Sequence, residues 1–266
     1  MAVDGASLFV GVTYMIISLS VLFLNVVVIF RSEHLCTSVY RIMFQLGITG
    51  SLQVLFHTTG GLFSIAQSTL CPWFERICGG IINAAWIGGI AFTLLLAVNR
   101  VFVVCLPEKA EFWFSPRLTT VLIVVCWVWP SLFLVIFLTP YCNVVYSIQD
   151  FAWTYDGAPW SEAIELVEFY GIILMLILTG ILYAAVVVKI WIMQRQTVVH
   201  GRNTHEKRVL VQAVLIFSFN LICHIAWHTY DIFLPDLRWT LFAVNTMWIL
   251  NGAVNPTLYL TMNRYS

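Results

Sequence analysis

Seven stretches of this chain stay apolar for about two dozen residues each: approximately 7–30, 42–66, 77–106, 118–141, 164–193, 210–233 and 239–262. None alternates apolar and polar positions as a half-buried strand would, and each is long enough to cross a hydrocarbon core, which takes about 20 helical residues. Backbone groups find no water to bond inside lipid, so the pattern predicts self-satisfied helices rather than a sheet. The expected fold class is an all-α membrane protein, a seven-transmembrane helix bundle that forms one domain over residues 1–266. The first stretch lacks the basic leader and small-residue cleavage site of a signal peptide, so it counts as a span.

Composition agrees with the pattern: 61% of residues are hydrophobic and 10% charged, where soluble domains carry about 25% charged residues. The net charge of zero hides an asymmetry. With the N-terminus outside and the C-terminus in the cytoplasm, only Arg76 and Arg238 of the 13 lysines and arginines fall on the outer side. Cytoplasmic loops carry the basic excess, so this is the expected orientation, in a plasma membrane. The outer segments are short except for "YCNVVYSIQDFAWTYDGAPWSE", residues 141–162. A large ligand therefore has no separate domain to grip, and a small molecule inside the bundle is the expected partner. On the inner side, "MQRQTVVHGRNTHEKR" at 193–208 is polar and basic. That suits a docking surface and follows equally from the orientation rule. No repeat, N-x-S/T acceptor or nucleic-acid signature is present, and a cytoplasmic tail is expected to continue beyond "MNRYS".

The last span contains "NGAVNPTLYLTMNR". Pro256 removes a backbone donor and crowds the preceding turn, and Asn251 and Asn255 are placed to bond the freed carbonyls or neighbouring helices. Asn255, Pro256 and Tyr259 fit the N-P-x-x-Y pattern of rhodopsin-like G-protein-coupled receptors, in the right helix and at the right depth. "LAVNRVF" puts Arg100 at the cytoplasmic end of span three, where those receptors carry an acid, an arginine and an aromatic; here the flanking residues are Asn99 and Val101. Asn25 resembles the family's span-one asparagine, and Trp127 or Trp129 its span-four tryptophan. Two departures stand beside these matches. Gly50 replaces the sodium-binding aspartate of span two, and span six reads "FNLICHIAWH" with no proline, which argues against sodium-linked regulation and the usual span-six toggle.

These motifs, with "YRIMFQLGITGSLQVLFHTTGG" and "EKRVLVQAVLIF", make nearly the whole chain similar to nematode serpentine chemoreceptors, most like the class T and class X groups. The resemblance implies a chemosensory receptor in the membrane of a ciliated neuron, coupled to a heterotrimeric G protein. It also implies that Arg100 pairs with Glu206 at the foot of span six until activation parts them, with Tyr259 swinging about the Pro256 kink. Snorkelling of Arg100 toward the interface is the bland alternative.

Depth locates a candidate ligand site. His57, Asn83, Trp86, Tyr170, His224, Trp227, His228, Asn245 and Trp248 fall in the outer half of five spans, and polar groups there are costly unless they face the interior. The tryptophans equally suit an interfacial belt, and each histidine alone suits an interhelical hydrogen bond. Glu162, Glu165 and Glu168 follow at helical spacing. The first two suit a helix N-terminus, while Glu168 lies deeper, where it can attract a cation. At the oxidising outer end, Cys71 is expected to bridge Cys142, with Cys78 as the competing partner and unpaired thiols as the alternative.

Other functions fit less well. His224 and His228 with His57 have the makings of a zinc site in a membrane hydrolase, yet no general base lies at that depth. Retinal needs a lysine near the centre of span seven, but Lys109, Lys189 and Lys207 are all cytoplasmic, so no cofactor is expected. A channel or transporter would line a path with charges, which the mid-membrane sequence lacks.

Overall fold

The computed structural model describes residues 4–31, 37–196, 202–235 and 237–262. Six long helices appear where apolar stretches predict them: α1 (Gly5–Arg31), α2 (Ser38–Ala66), α3 (Pro72–Cys105), α5 (Pro116–Phe137), α6 (Ser161–Gln196) and α7 (Arg202–Phe233). A short α4 (Pro107–Trp113) follows α3. Prolines open α3, α4 and α5 at the first helical turn, where a missing N–H costs nothing and the fixed φ already suits a helix. The α3 start therefore falls five residues before the predicted one. Among the described residues α1, α3, α5, α6 and α7 are long and apolar enough to cross a membrane unaided. The α2 helix has the length but buries Thr49, Gln53, His57 and Ser64.

The seventh crossing is two pieces, α8 (Arg238–Asn251) and α9 (Val254–Met262), and the sequence explains why. Pro256 has no N–H to give the carbonyl four residues back, which belongs to Gly252. The helix opens there: Gly252 and Ala253 bond back three residues, to Ile249 and Leu250, and regular bonding resumes with Thr257 to Ala253 at 3.0 Å. The abandoned Gly252 carbonyl accepts a hydrogen bond from Asn25 Nδ2 of α1 at 3.1 Å. A side chain at 252 would collide with Val54, so only glycine lets α2 approach the break this closely.

Between α5 and α6 the chain folds into a hairpin, β1 (Val144–Ser147) and β2 (Ala152–Tyr155), antiparallel with Val144 opposite Tyr155 and Ser147 opposite Ala152. It lies across one end of the bundle and touches α3, α6 and α8. Phe151, at φ 60°, holds a left-handed conformation that bulky residues rarely adopt. Its burial and the Tyr14 hydroxyl, which donates to its carbonyl at 2.7 Å, fix it there. At the base, Asp156 accepts from the Asn143 backbone and side chain, from Ala158 N and from the Ser161 hydroxyl, tying β2 to the start of α6. Burial alone would raise the Asp156 carboxyl; those hydrogen bonds outweigh it and hold the group below the ordinary carboxylate range. Glu75 accepts from Tyr146 N at 2.9 Å, and Gly79 lies in backbone contact with the Val144 carbonyl, leaving no space for a Cβ.

The helix α3 is the hub, in contact with α2, α5, α6, α7 and β1, while α1, α5 and α6 leave much apolar surface to lipid. Two hydrophobic clusters fill the interior. One at the hairpin end includes Trp86, Phe137, Trp153 and Trp248; the other, at the far end, includes Phe92, Leu96, Tyr183 and Tyr259. Phe217 packs against both, and polar groups lie between them elsewhere: Asn251 Nδ2 donates to Asn220 Oδ1 at 2.9 Å, and Asn220 Nδ2 donates to Thr93 Oγ1 at 3.1 Å. A void of about 40 Å³ in this layer is also bounded by Thr49, Gln53 and Gly50.

Candidate functional site

Beneath the hairpin lies a cavity of about 260 Å³. Helical periodicity builds its walls, because residues three, four and seven apart share one face. From α7 come His224, Trp227, His228 and Asp231, from α8 Leu241, Val244 and Trp248, from α3 Asn83 and Trp86, and from α6 Glu165 and Glu168. Trp153, Thr154 and Tyr155 of β2 close the roof.

Glu168 anchors the polar side. It is 7% exposed, and its Oε2 accepts from Asn83 Nδ2 at 2.8 Å and from the Tyr155 hydroxyl. Burial first, then the facing carboxylate, pushes the Tyr155 phenol far above its ordinary value, so it stays a donor. Both bonds land on Oε2, which leaves Oε1 to the cavity. Opposite, His224 lies parallel to Phe169 and edge-on to His228, with ring centroids 5.4 and 4.7 Å apart. His224 Nε2 is buried without a hydrogen-bond partner. The floor is Trp248, packed against Trp86 at 6.1 Å and Trp227 at 5.1 Å.

Seven residues expected from depth alone thus converge: Asn83, Trp86, Glu168, His224, Trp227, His228 and Trp248. Three do not. His57 is completely buried behind Trp248, edge-on to it at 4.8 Å. Asn245 is buried outside the lining, and neither polar atom of its side chain has a hydrogen-bond partner among the described residues. Tyr170 is 64% exposed; two residues beyond Glu168 is about 200° around a helix, so it points away from the cavity. Sequence reasoning missed the roof residues, since a loop gives no facial periodicity, although "VVYS" and "AWTY" around a turn carry a strand signal. It also gave Glu165 to the helix terminus and passed over Asp231.

The expected Cys71–Cys142 bridge is absent: Cys71, Cys78 and Cys142 are free thiols. Cys71 is exposed at the start of α3, whereas Cys142 is buried in the outer core cluster together with Cys78, two turns deeper. Burial pushes the Cys142 thiol up to about 11.

At the far end Arg100 is 2% exposed and donates from Nη2 to Asn99 Oδ1 at 2.7 Å; Asn99 Nδ2 in turn donates to Ser38 Oγ at 2.9 Å. The asparagine thus hydrogen-bonds the guanidinium without neutralising it. The Glu206 side chain, the expected partner, lies outside the described residues. Tyr259 is buried against Tyr40, edge-on at 6.3 Å. Asn255 Nδ2 reaches the Met43 carbonyl at 3.4 Å, and Trp127 Nε1 donates to Gln45 at 3.0 Å, so Trp127 rather than Trp129 faces α2.

Among the described residues, the charged side chains that are buried are Arg100 and Glu168, at opposite ends, and no three His, Cys, Asp or Glu residues are grouped to hold a metal. His57 lies apart from the His224–His228 pair, which removes the third ligand of the zinc arrangement considered above. No curated protein matches the chain. Residues 4–265 match the family model described as serpentine type 7TM GPCR chemoreceptor Srt. With the helical bundle, its broken seventh crossing and a match over nearly the full length, the chain belongs to that chemoreceptor family, a receptor family of multi-pass membrane proteins.

Proposed function

We propose that the protein is a chemosensory receptor that binds a small molecule in the cavity beneath the hairpin and activates a heterotrimeric G protein at the opposite end. The hairpin end faces the outside of the plasma membrane and the C-terminus faces the cytoplasm. One observation carries this reading: an aromatic cavity at one end is joined through Trp86 and Trp248 to a hydrogen-bonded polar layer and a broken helix, beyond which Arg100 and Tyr259 are buried.

Two apolar cores with polar side chains between them can shift against each other by exchanging hydrogen bonds, which costs less than repacking a continuous core. A ligand that contacts Trp86 and Trp248 differently in the two arrangements biases their populations. At the far end, outward movement of α9 and of the foot of α7 would uncover Arg100 for the G protein. The lack of buried charge between Glu168 and Arg100 among the described residues favours this reading over a conducting path.

The test is nucleotide exchange on a G protein by receptor in lipid vesicles, challenged with a panel of volatile and water-soluble compounds. Trp86→Ala and His224→Ala should lose the response at the binding step. Arg100→Ala and Tyr259→Ala should keep ligand binding and surface expression yet lose exchange. Exchange unchanged in the last two would refute the coupling.

A further inference from the structure

The chemistry of the cavity walls goes beyond the reading of it as a ligand site, on which the following rests. We infer that the ligand is a small organic cation, a protonated amine or a quaternary ammonium, held at Glu168 inside an aromatic cage.

Three independent features converge on this class. The first is charge: among the described residues, Glu165, Glu168 and Asp231 line the cavity and no lysine or arginine does. The second is the state of Glu168. A carboxylate more than nine-tenths buried, with neutral donors only on Oε2, has one oxygen, Oε1, open to the cavity and no protein cation to neutralise it. A buried carboxylate in this state is stabilised by a cationic partner and repels an anion. The third is the cage. Trp86, Trp153, Tyr155, Trp227 and Trp248 all line the one cavity, and aromatic faces attract ammonium groups most strongly where water is excluded. An apolar ligand would use the rings but leave Glu168 Oε1 stranded, and an anion would meet three acids.

The outer acids have a separate part. Asp231 is exposed at the rim and Glu165 half-buried below it, so they raise the local concentration of cations before contact and their effect weakens with salt. Glu168 acts at contact, through the oxygen that Asn83 and Tyr155 leave free.

Isosteric probes test this directly. Choline and phenyltrimethylammonium are paired with their neutral counterparts, 3,3-dimethylbutan-1-ol and tert-butylbenzene, and with the anion 3,3-dimethylbutanoate. Binding is read from the unfolding midpoint of the purified receptor in lipid nanodiscs, without G protein, as a function of probe concentration. Each cation should bind on the order of tenfold to a hundredfold more tightly than its neutral partner, the range expected of a charge-assisted contact. The anion should not bind. Glu168→Gln keeps an acceptor for Asn83 and Tyr155, so it should fold like the wild type while losing the preference for the cation. Trp227→Leu should weaken the cations more than the neutral probes. Equal or tighter binding of the neutral or anionic probes, cation preference that survives Glu168→Gln, or no binding of either cation up to millimolar concentration would overturn the ligand class. Because no G protein is present, such a failure leaves the receptor reading to the exchange assay, which fails or succeeds separately.

Discussion

Replacing Asn25 by alanine tests the account of the broken seventh helix, because the structure gives this residue a task that another substitution makes redundant. Asn25 is 1% exposed and donates to the carbonyls of Val21 at 3.0 Å and Gly252 at 3.1 Å. Gly252 needs this donor only because Pro256 cannot supply one. Removing it strands a carbonyl in a membrane interior. An orphaned buried acceptor costs about 1–3 kcal/mol, and interhelical hydrogen bonds in membrane proteins average about 0.6 with an upper end near 1.7. About 1–2 kcal/mol is therefore expected for Asn25→Ala. Pro256→Ala restores an N–H at the position that serves Gly252, so in that background Asn25→Ala should cost about 1 kcal/mol less. The four proteins of the cycle are unfolded thermally in nanodiscs with a thiol-reactive dye that reports exposure of Cys78, Cys142 and Cys223, all buried in the folded state. At about 2–4 °C per kcal/mol for a chain of this size, the single substitution is readable. Effects that add within about 0.3–0.5 kcal/mol, the scatter of independent sites, would refute the idea that asparagine substitutes for the missing proline donor.

Three further outcomes follow from the hairpin and its neighbours. Gly79→Val has no space beside the Val144 carbonyl, so it should displace β1 and abolish binding at the cavity, whereas Tyr170→Ala, on the outward face, should bind as the wild type; equal effects of the two would contradict the roof geometry. Asp156 stabilises the hairpin base as a carboxylate with a depressed pKa, so its contribution is complete above the ordinary value of 3.8 and is lost as pH falls below that through the folded value. Hydrogen exchange over 143–156 should accelerate in that acid window for the wild type, with no such step in Asp156→Asn, and identical acid profiles would count against the staple. A membrane-impermeant maleimide should label Cys71 in the folded receptor and reach Cys142, whose thiol is buried and held at about 11, only after unfolding; labelling of Cys142 without unfolding would show that the hairpin does not cover it.

Much of this architecture was readable in the sequence because lipid imposes one rule on every span. Continuous apolar runs had to be helices, and polar residues such as Asn83, Glu168 and His224 had to face inward, which is where they lie. Depth is one coordinate, however, and rotation about the helix is another. Tyr170 shares the depth of Glu168 and points the opposite way, and Cys71 shares the outer end with Cys142 but is exposed where Cys142 is buried. The hairpin was hidden for a different reason. Its strands are four residues each, too short for a convincing alternation, and besides Asp156 at their base they are held in place by Glu75 and Tyr14, residues far away in sequence. Proline at 256 signalled a kink, yet nothing local identified Asn25, more than 200 positions earlier, as the donor that makes the break tolerable.

An outside cavity governing an inside surface requires an odd number of membrane crossings. Epitope tags at the two ends of the chain measure this in intact and then permeabilised cells. The N-terminal tag should stain on intact cells and the C-terminal tag only after permeabilisation. Both tags accessible from the same side would put the hairpin cavity and the C-terminal tag's membrane face in an arrangement that no receptor of this design can have.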